Sequence, residues 1–338
     1  NVLVASQICL ATLLLLITSL VMTNALKVLN HPLGFDDENL YNLELDIGEG
    51  YPEKEARMQL SHDLLAKLQK VDGVAKISRA SNPPIRRGSN NTGLFNSDNV
   101  KLGHFAFVSI DDNYFNSVGL TLLAGRGFNE QEVRGASDTI ILSKTAAMKV
   151  VASTGDGNGK LEDIIGKVVY SAGGDNWPVV GIVENVYNPY NHERTQGAMM
   201  YFPDSRTNFI IRMQSGNILE KTDILNLLNE HFAEIKVWRF TSVTDIHEQL
   251  VYQKKLTLWL SLLLGIFALL LAAIGIYGVI SYNSQMRRYE LGIRMSLGAK
   301  SKRILIEFIG ESFTPIATGF GLSLVLTVIL YSFAQQHI

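Results

Sequence analysis

The chain contains three long apolar stretches that carry no Asp, Glu, Lys or Arg. They cover residues 1–26, 256–286 and 312–338. A helix needs about 20 mostly apolar residues to cross the hydrocarbon core of a bilayer, and each stretch has that length. The pattern predicts transmembrane helices within residues 1–26, 256–286 and 304–338, with a charged segment, residues 27–255, between the first two.

The short segment between the second and third apolar stretches, residues 287–303, has six basic residues and one acidic residue, Glu290. By the positive-inside rule this loop is cytoplasmic. The segment 27–255 is then extracytoplasmic, and its 24 basic and 29 acidic residues are consistent with that side. Three crossings leave the C-terminal end outside the cytoplasm, so we expect a fourth transmembrane helix, missing here, beyond Ile338.

Small residues recur along the second apolar stretch in steps of three and four. They are Ser261, Gly265, Ala268, Ala272 and Gly275. This spacing places them on one stripe of a helix, where a second helix can approach closely. The alternative is that glycine and alanine are simply common in membrane helices.

The extracytoplasmic segment contains a strand–helix–strand pattern near each of its ends. The early pattern consists of a strand from Leu40 to Ile47, a helix from Pro52 to Lys70 and a strand from Val74 to Ala80. The late pattern consists of a strand from Phe209 to Met213, a helix from Ile218 to Phe232 and a strand from Ile235 to Phe240. The two patterns predict one α+β subdomain formed by parts of the chain that are distant in sequence.

The residues between these patterns predict a second, more β-rich subdomain. Residues 83–99 are rich in Asn, Ser, Gly and Pro and predict a loop. Short strands are predicted at residues 105–110, 138–142, 168–170 and 179–183. After the late pattern, Val243 to Tyr252 predicts a helix that continues into the second membrane crossing.

Composition limits the classes of function. A net charge of −2 gives no broad basic surface for nucleic acid, and a mean hydropathy of +0.13 is too high for a disordered chain. The single cysteine, Cys9, lies in the first apolar stretch, so the chain can form no internal disulfide.

Candidate ligand and catalytic motifs are weak. The run from Gly155 to Lys160 departs from a phosphate-binding loop because Thr154 replaces the first glycine, and from a calcium loop because Ile165 replaces the final glutamate. A flexible turn is the favoured interpretation, with a weak cation site as the alternative. The seven histidines form no metal-binding pattern, and His62 beside Asp63 is expected on a solvated helix face. No metal, cofactor or catalytic residue is predicted on this chain.

The cytoplasmic loop is the most informative segment. Tyr289, Ile293 and Leu297 recur every fourth residue, and Glu290 and Arg294 are also four apart. The loop can therefore form a short amphipathic helix that ends at Gly298. Such a helix, lying across the cytoplasmic ends of two membrane helices, is suited to binding a soluble partner; the alternative is a basic loop that only sets topology.

The same segment resembles the signature of FtsX-like and MacB-like ABC transporter permeases, of the type VII ABC superfamily. Residues 273–278 read AIGIYG and residues 288–299 read RYELGIRMSLGA, close to the pattern REIGIRMALGA. The departures are at Tyr289, Leu291 and Ser296. In the third apolar segment Gly319 also matches the family, together with Phe308 and Glu311.

The resemblance extends into the extracytoplasmic segment. The matching positions are Gly34, Phe35, Asp36, Asn39, Tyr114, Phe115, Gly119, Leu122, Leu123, Ala124, Gly125, Arg126, Phe128 and residues 180–183. It implies an α-helical transmembrane bundle plus an α+β extracytoplasmic domain of MacB type. In that arrangement residues 27–82 and 205–242 form a porter-like subdomain, residues 100–204 a sabre-like subdomain, and residues 243–255 a stalk.

By this resemblance the chain is a non-catalytic, multi-pass permease of the bacterial inner membrane with its large domain in the periplasm. A cytoplasmic ABC ATPase dimer, which carries the ATP and Mg, would bind the coupling loop. The expected coupling residues are Arg288, Tyr289, Glu290, Ile293, Arg294, Leu297 and Gly298. Expected partners are the lipid bilayer, a periplasmic or outer-membrane protein, and a second permease half or copy. The last is expected because the chain resembles the second half of a duplicated permease or a subunit that dimerises.

Two other classes of function remain open from the sequence. A membrane-anchored sensor would bind a ligand outside and signal to a cytoplasmic partner. A membrane-bound hydrolase would need a nucleophile and a base, and the sequence offers no such constellation. The sequence does not identify the cargo.

Overall fold

The computed structural model describes residues 2–48, 51, 53–88, 90–135, 138–153, 160–171, 173–190, 197–204, 206–286, 289, 293, 317–329 and 332. The chain separates into two compact units, Asn1–Asn30 with Gln253–Ile338, and His31–Tyr252. We call the first the helical unit and the second the extracytoplasmic unit.

The described part of the helical unit is made of apolar helices. α1 spans Val2–Leu29, α7 spans Val243–Met286 and begins in the extracytoplasmic unit, and α8 covers Ala317–Ile329. Two stretches, Ala5–Leu29 and Val243–Gly278, are long and apolar enough to cross a membrane, and Ala317–Ile329 is shorter. The expected helix from Val243 into the second apolar stretch is thus confirmed as one continuous element.

The first sheet of the extracytoplasmic unit has four strands. Its elements are β1 (Leu40–Asp46), α2 (Lys54–Leu68), β2 (Val74–Arg79), β10 (Phe209–Met213), α6 (Lys221–His231) and β11 (Lys236–Ser242). The strand order is β11-β1-β10-β2, and all neighbours are antiparallel. Each predicted strand–helix–strand pattern is confirmed, and the two interleave as in a split βαβ fold.

The second sheet has seven strands. Its strands are β3 (Asn91–Phe95), β4 (Lys101–Ile110), β5 (Leu122–Gly125), β6 (Ile140–Ser143), β7 (Val168–Ser171), β8 (Asn176–Val183) and β9 (Met199–Pro203), in the order β5-β8-β6-β9-β4-β3-β7. Because β7 pairs with both β3 and β8, six of these strands close into a ring. We call this part the barrel.

Among the residues that the structure describes, three short helices accompany the barrel strands. They are α3 (Tyr114–Val118), α4 (Glu130–Gly135) and α5 (Lys144–Ser153). A single 3-10 turn, Leu161–Ile164, precedes β7.

The prediction that residues 83–99 form only a loop is wrong, because β3 lies within it. β3 pairs with β4 from Asn91 to Phe95, and Leu94 is fully buried in the barrel. Its sequence, NTGLF, is polar at the start and contains glycine, so its strand character comes from pairing on both edges and not from local pattern. The barrel sheet therefore begins at Asn91, before the residue 100 expected for the sabre-like part.

Three apolar clusters stabilise the extracytoplasmic unit. One lies between the four-stranded sheet and the helices α2 and α6, and includes Leu43, Leu64 and Phe209. A second fills the barrel, with Phe105 among its members. The third joins residues of the sheet, the barrel and the first residue of α7, Val243, so the two parts share a core.

Candidate functional site

The predicted coupling loop is described only at two positions. Tyr289 and Ile293 are both helical, and Tyr289 is 90% exposed. The other five coupling residues lie outside the described residues: Arg288, Glu290, Arg294, Leu297 and Gly298. Helical backbone at these two positions is compatible with the expected amphipathic helix, which stays a prediction.

Part of the small-residue stripe of α7 lies against α1 within the helical unit. Ser261 and Ala268 are buried, and Gly265 lies against Leu15 and Thr18 of α1. The other two stripe positions, Ala272 and Gly275, are half-buried.

Two glycines set how closely the helices approach. A β-carbon added to Gly275 would lie 2.5 Å from Oε1 of Gln7, at the end of a flexible side chain. A β-carbon added to Gly319 of α8 would lie 2.6 Å from the backbone oxygen of Ala5 and 3.1 Å from Cβ of Ile8. At Gly319 the neighbouring helix backbone itself leaves no room for a side chain.

In the extracytoplasmic unit, the first turns of α7 are bonded to the segment that follows α1. The hydroxyl of Thr244 donates to the carbonyl of Asp37 at 3.0 Å, and Nδ1 of His247 lies 3.2 Å from Oδ2 of Asp37. Val243 is fully buried, and Ile246 and Leu250 pack against the same apolar cluster. The start of α7 is therefore fixed to the core by both polar and apolar contacts.

Arg212, in the middle of β10, holds the same segment in place. Its Nε donates to Ser117 O at 2.8 Å, and Nη2 donates to Val118 O at 3.1 Å. Its Nη1 donates to Oδ2 of Asp36 and to Glu38 O, each at 2.8 Å, and Nη2 reaches Asp36 O at 2.7 Å. One guanidinium thereby joins β10, α3 and residues 36–38.

The segment held by Arg212 begins at Gly34, where the backbone requires glycine. Gly34 has a φ of +83°, and a β-carbon there would collide with the carbonyl oxygen of Asn185. Phe35 packs against the shared apolar cluster, and Asp36 N donates to Val118 O at 3.3 Å. Each residue of the Gly-Phe-Asp run thus has a structural role. Gly34 allows the close approach to Asn185, Phe35 packs into the apolar cluster, and Asp36 accepts hydrogen bonds from Arg212.

A buried ion pair joins the four-stranded sheet to the barrel. The backbone N of Arg79 donates to Oδ2 of Asp111 at 2.8 Å, and Nε donates to the same oxygen at 3.2 Å. Asp111 is 2% exposed, and burial raises the pKa of its carboxyl to about 6 in spite of Arg79. The adjacent bridge between Ala80 and Ile110 completes the junction.

Sequence reasoning missed Arg212, Asp37, His247 and the Arg79–Asp111 pair. A signal was available for Arg212, because it is the only charged residue in the otherwise apolar strand FIIRM. The others had none, because their partners lie between 32 and 210 residues away in the chain.

The remaining sequence candidates are the histidines and the glycine-rich run from Gly155 to Lys160. No group of three or more His, Cys, Asp or Glu that could hold a metal ion occurs among the residues described. Residues 154–159 of the glycine-rich run lie outside the described residues. The side chain of His62 is half-buried, and its Nε2 is buried without a hydrogen-bond partner among the described residues. The expectation that His62 lies on a solvated helix face is therefore wrong. Asp63 beside it is exposed.

Comparison with known proteins gives two family matches that together cover most of the chain. The MacB-like periplasmic core domain matches residues 3–225, and the FtsX-like permease C-terminal region matches residues 262–337.

Two relatives show the extent of the similarity. The macrolide export ATP-binding/permease protein MacB of Escherichia coli (strain K12) is 22% identical over 303 residues, covering 84% of this chain and 43% of that protein. The protein of the same name from Hahella chejuensis (strain KCTC 2396) is 24% identical over 233 residues, covering 65% of this chain and 34% of the relative. The chain therefore spans less than half the length of these relatives.

Among solved structures, the periplasmic region of MacB from Actinobacillus actinomycetemcomitans matches with a TM-score of 0.40 and 16% identity, over 66% of this chain and 97% of that one. The family matches include both the extracytoplasmic α+β unit and the segment that contains the apolar helices. The chain is a membrane protein with an extracytoplasmic domain, and it belongs to the FtsX/MacB-like family of ABC transporter permeases.

Proposed function

We propose that this chain couples ATP hydrolysis by a separate cytoplasmic ATPase to movement of its extracytoplasmic unit. The observation that carries the proposal is α7, a single helix of 44 residues. At 1.5 Å per residue it is about 66 Å long, more than a bilayer requires. One continuous helix therefore includes both the apolar stretch and the residues fixed in the extracytoplasmic core.

The contacts at the start of α7 support transmission of force. Asp37 lies eight residues after the end of α1 and is bonded to Thr244 and His247 of α7. A shift of α1 or of α7 along its axis would pull on this same contact. Because Val243 is also buried in the cluster shared by sheet and barrel, the shift would reach the whole extracytoplasmic unit.

The proposed partner is an ABC ATPase dimer that binds residues 287–303 and carries the ATP and Mg. Closure of the dimer would push the membrane helices as a rigid-body movement. We place the assembly in the bacterial inner membrane, with a second permease half or copy and with the lipid bilayer around it. Neither a cofactor on this chain nor nucleic acid enters the proposed cycle.

The name of these relatives, macrolide export ATP-binding/permease protein, supports a transport role. We propose that the moved unit exports or extracts a peptide, lipoprotein, toxin or antibiotic, directly or through a periplasmic or outer-membrane partner. The small-residue packing of α7 on α1 supports helices that move together and needs no polar pore between them.

The test is co-purification of the full-length protein with candidate ATPase subunits, followed by measurement of ATP hydrolysis. The wild type is expected to capture an ATPase and to change its activity. Glu290→Lys combined with Arg294→Glu should weaken capture at least tenfold, because it reverses the charges that the proposed coupling helix presents.

A matched control exists in the extracytoplasmic unit. Glu130 and Arg134 are also four residues apart, form an exposed ion pair at 2.6 Å, and can be exchanged in the same way. Glu130→Lys combined with Arg134→Glu should leave capture unchanged. If the folded wild type captures no ATPase, or if both double variants lose it equally, the proposal is wrong and the sensor becomes the better hypothesis.

A further inference from the structure

A basic groove lies on the face of the four-stranded sheet opposite α2 and α6. Its volume is about 950 Å³, within the roughly 300–1,000 Å³ typical of ligand sites. The walls are the sheet, the loop after β2 and the first turns of α7. All of these belong to the extracytoplasmic unit.

Three arginines line this groove. They are Arg86 and Arg87 from the loop and Arg239 from β11, and the described lining includes one acidic residue, Glu44. The side chain of Arg239 is 59% exposed and lies 3.5 Å from Glu44, while Arg87 lies over the ring of Tyr190. The segment 27–255 as a whole has more acidic than basic residues, so this concentration of arginine is local.

One polar group in the groove has an unused acceptor. Asn42, from β1, is almost fully buried, and its Nδ2 donates to Oε1 of Glu44 at 2.9 Å. Its Oδ1 has no hydrogen-bond partner among the residues that the structure describes. A ligand that brings both an anion and a hydrogen-bond donor would satisfy the arginines and this oxygen.

The position of the groove along α7 indicates where the ligand comes from. Tyr252 lines the groove and precedes the apolar run that begins at Leu256 by one helical turn. Tyrosine is enriched at the membrane–water interface, and Lys254 and Lys255 follow it directly. A bilayer that contains the apolar run therefore has its headgroups at the level of Tyr252.

We propose that this groove binds the headgroup of an anionic phospholipid, with the phosphate on the arginines and a headgroup hydroxyl near Asn42. Arginine suits this role because its planar fork can bind two phosphate oxygens at once. Such a lipid would hold the groove at the membrane surface. This goes beyond the proposed ATPase coupling and does not depend on it.

The experiment uses the purified full chain in a non-ionic detergent, titrated with short-chain phosphatidylglycerol and monitored by native mass spectrometry. We expect saturable binding. Arg87→Gln combined with Arg239→Gln should weaken it roughly tenfold to thirtyfold, from the ordinary contribution of two cations at a lipid surface. Glu44→Gln should strengthen it severalfold, because Glu44 is the one acidic side chain among the described residues that line the groove.

Two exposed arginines outside the groove provide the matched control. Arg57→Gln combined with Arg134→Gln removes the same charge and should leave phosphatidylglycerol binding unchanged. Equal weakening by both pairs, or no strengthening by Glu44→Gln, would overturn the proposal.

Two other ligands distinguish the source of the phosphate. Phosphatidylcholine, which has the phosphate but no net charge and no donor, is expected to bind more weakly than phosphatidylglycerol. Glycerol 3-phosphate should compete poorly. If it competes at the concentrations at which the lipid binds, the groove is a site for soluble phosphate esters and the lipid assignment is wrong.

Discussion

Single side chains hold together parts of the extracytoplasmic unit that are distant in sequence. Arg212 bonds to Asp36 and Glu38 after α1 and to Ser117 and Val118 of α3. Four of its five acceptors are backbone carbonyls. If Arg212 is lost, no side-chain substitution at the acceptor residues can compensate for these four hydrogen bonds. Such groups fix the segment to which α7 is bonded.

Replacement of Arg212 should therefore destabilise the protein strongly. Arg212→Ala is expected to lower the free energy of unfolding by roughly 2–4 kcal/mol, since its hydrogen bonds are charge-assisted and its side chain is only 14% exposed. Arg212→Lys should recover only part of this loss, because an ammonium cannot reproduce the fork. Thermal unfolding of the purified chain in detergent measures the effect.

The control for Arg212 is its carboxylate partner. Asp36 has a side chain that is 60% exposed, so Asp36→Asn should cost less than about 1 kcal/mol. A loss for Asp36→Asn as large as that for Arg212→Ala would show that the ion pair, and not the bonds to carbonyls, dominates.

The buried carboxyl of Asp111 predicts a pH dependence of stability. Its pKa is raised by burial from 3.8 to about 6, so the folded chain binds this proton more tightly than the unfolded chain. The contribution of Asp111 is most favourable below about pH 4 and is lost as the pH rises through 6, by up to roughly 3 kcal/mol.

Comparison with Asp111→Asn isolates this effect. Unfolding measured between pH 4 and pH 7 should show the wild type losing stability relative to Asp111→Asn as the pH rises. An exposed carboxylate away from this junction provides a control, and Asp63→Asn should follow the wild-type profile. Parallel profiles for wild type and Asp111→Asn would contradict the raised pKa.

At the scale of elements, the helices of the helical unit approach one another through glycine. Gly319 and Gly275 both lie against α1, but they face different obstacles, a backbone oxygen and the end of a side chain. Gly321, in the same helix as Gly319, has nothing within 4 Å of its added β-carbon. These three positions therefore test whether glycine is needed here for close helix packing or is present only because it is common in membrane helices.

Alanine substitution should rank the three glycines. Gly319→Ala is expected to cost roughly 1–3 kcal/mol, because the α1 backbone cannot move aside locally. Gly275→Ala should cost less, since Gln7 can change rotamer, and Gly321→Ala should be neutral or slightly stabilising. Thermal stability in detergent gives the order, and an equal effect at all three would contradict the packing role.

At the scale of the whole molecule, the important feature is that α7 is continuous. Its buried first residue, Val243, belongs to the core of the extracytoplasmic unit, and its later turns belong to the helical unit. If α7 transmits force, its helical continuity near residue 253 matters more than which side chains it carries there.

Interrupting α7 at Gln253 should separate ATPase binding from transmission. Gln253→Pro removes a helical hydrogen bond and kinks the helix at an exposed position, at a cost of about 3 kcal/mol. Both Gln253→Pro and the control Gln253→Ala should still capture the ATPase. Hydrogen exchange of residues 31–39 and 243–252 should respond to ATP in the control but not in the proline variant.

A response to ATP that survives in Gln253→Pro would show that force reaches the extracytoplasmic unit by another element, such as α1. That result would remove α7 as the transmitting element. Loss of ATPase capture in the proline variant would contradict the expected separation of ATPase binding from transmission.

The sequence by itself determined the features that depend on local pattern. Apolar length predicted α1 and the apolar part of α7, and periodicity predicted both strand–helix–strand patterns of the four-stranded sheet, from β1 to β2 and from β10 to β11. The signature around residues 288–299 predicted the family. These features are readable because transfer into a bilayer and burial of one face depend on neighbouring residues in the chain.

Only the tertiary structure decided the rest. β3 has a polar, glycine-containing sequence, and β9 is apolar without alternation because it is buried among neighbouring strands, so neither gives a local signal. The interleaving of the two patterns, the Arg79–Asp111 pair, the bonds of Arg212 and the arginine groove all join residues far apart in the chain. Their energies come from burial and geometry that exist only once the sheets have assembled.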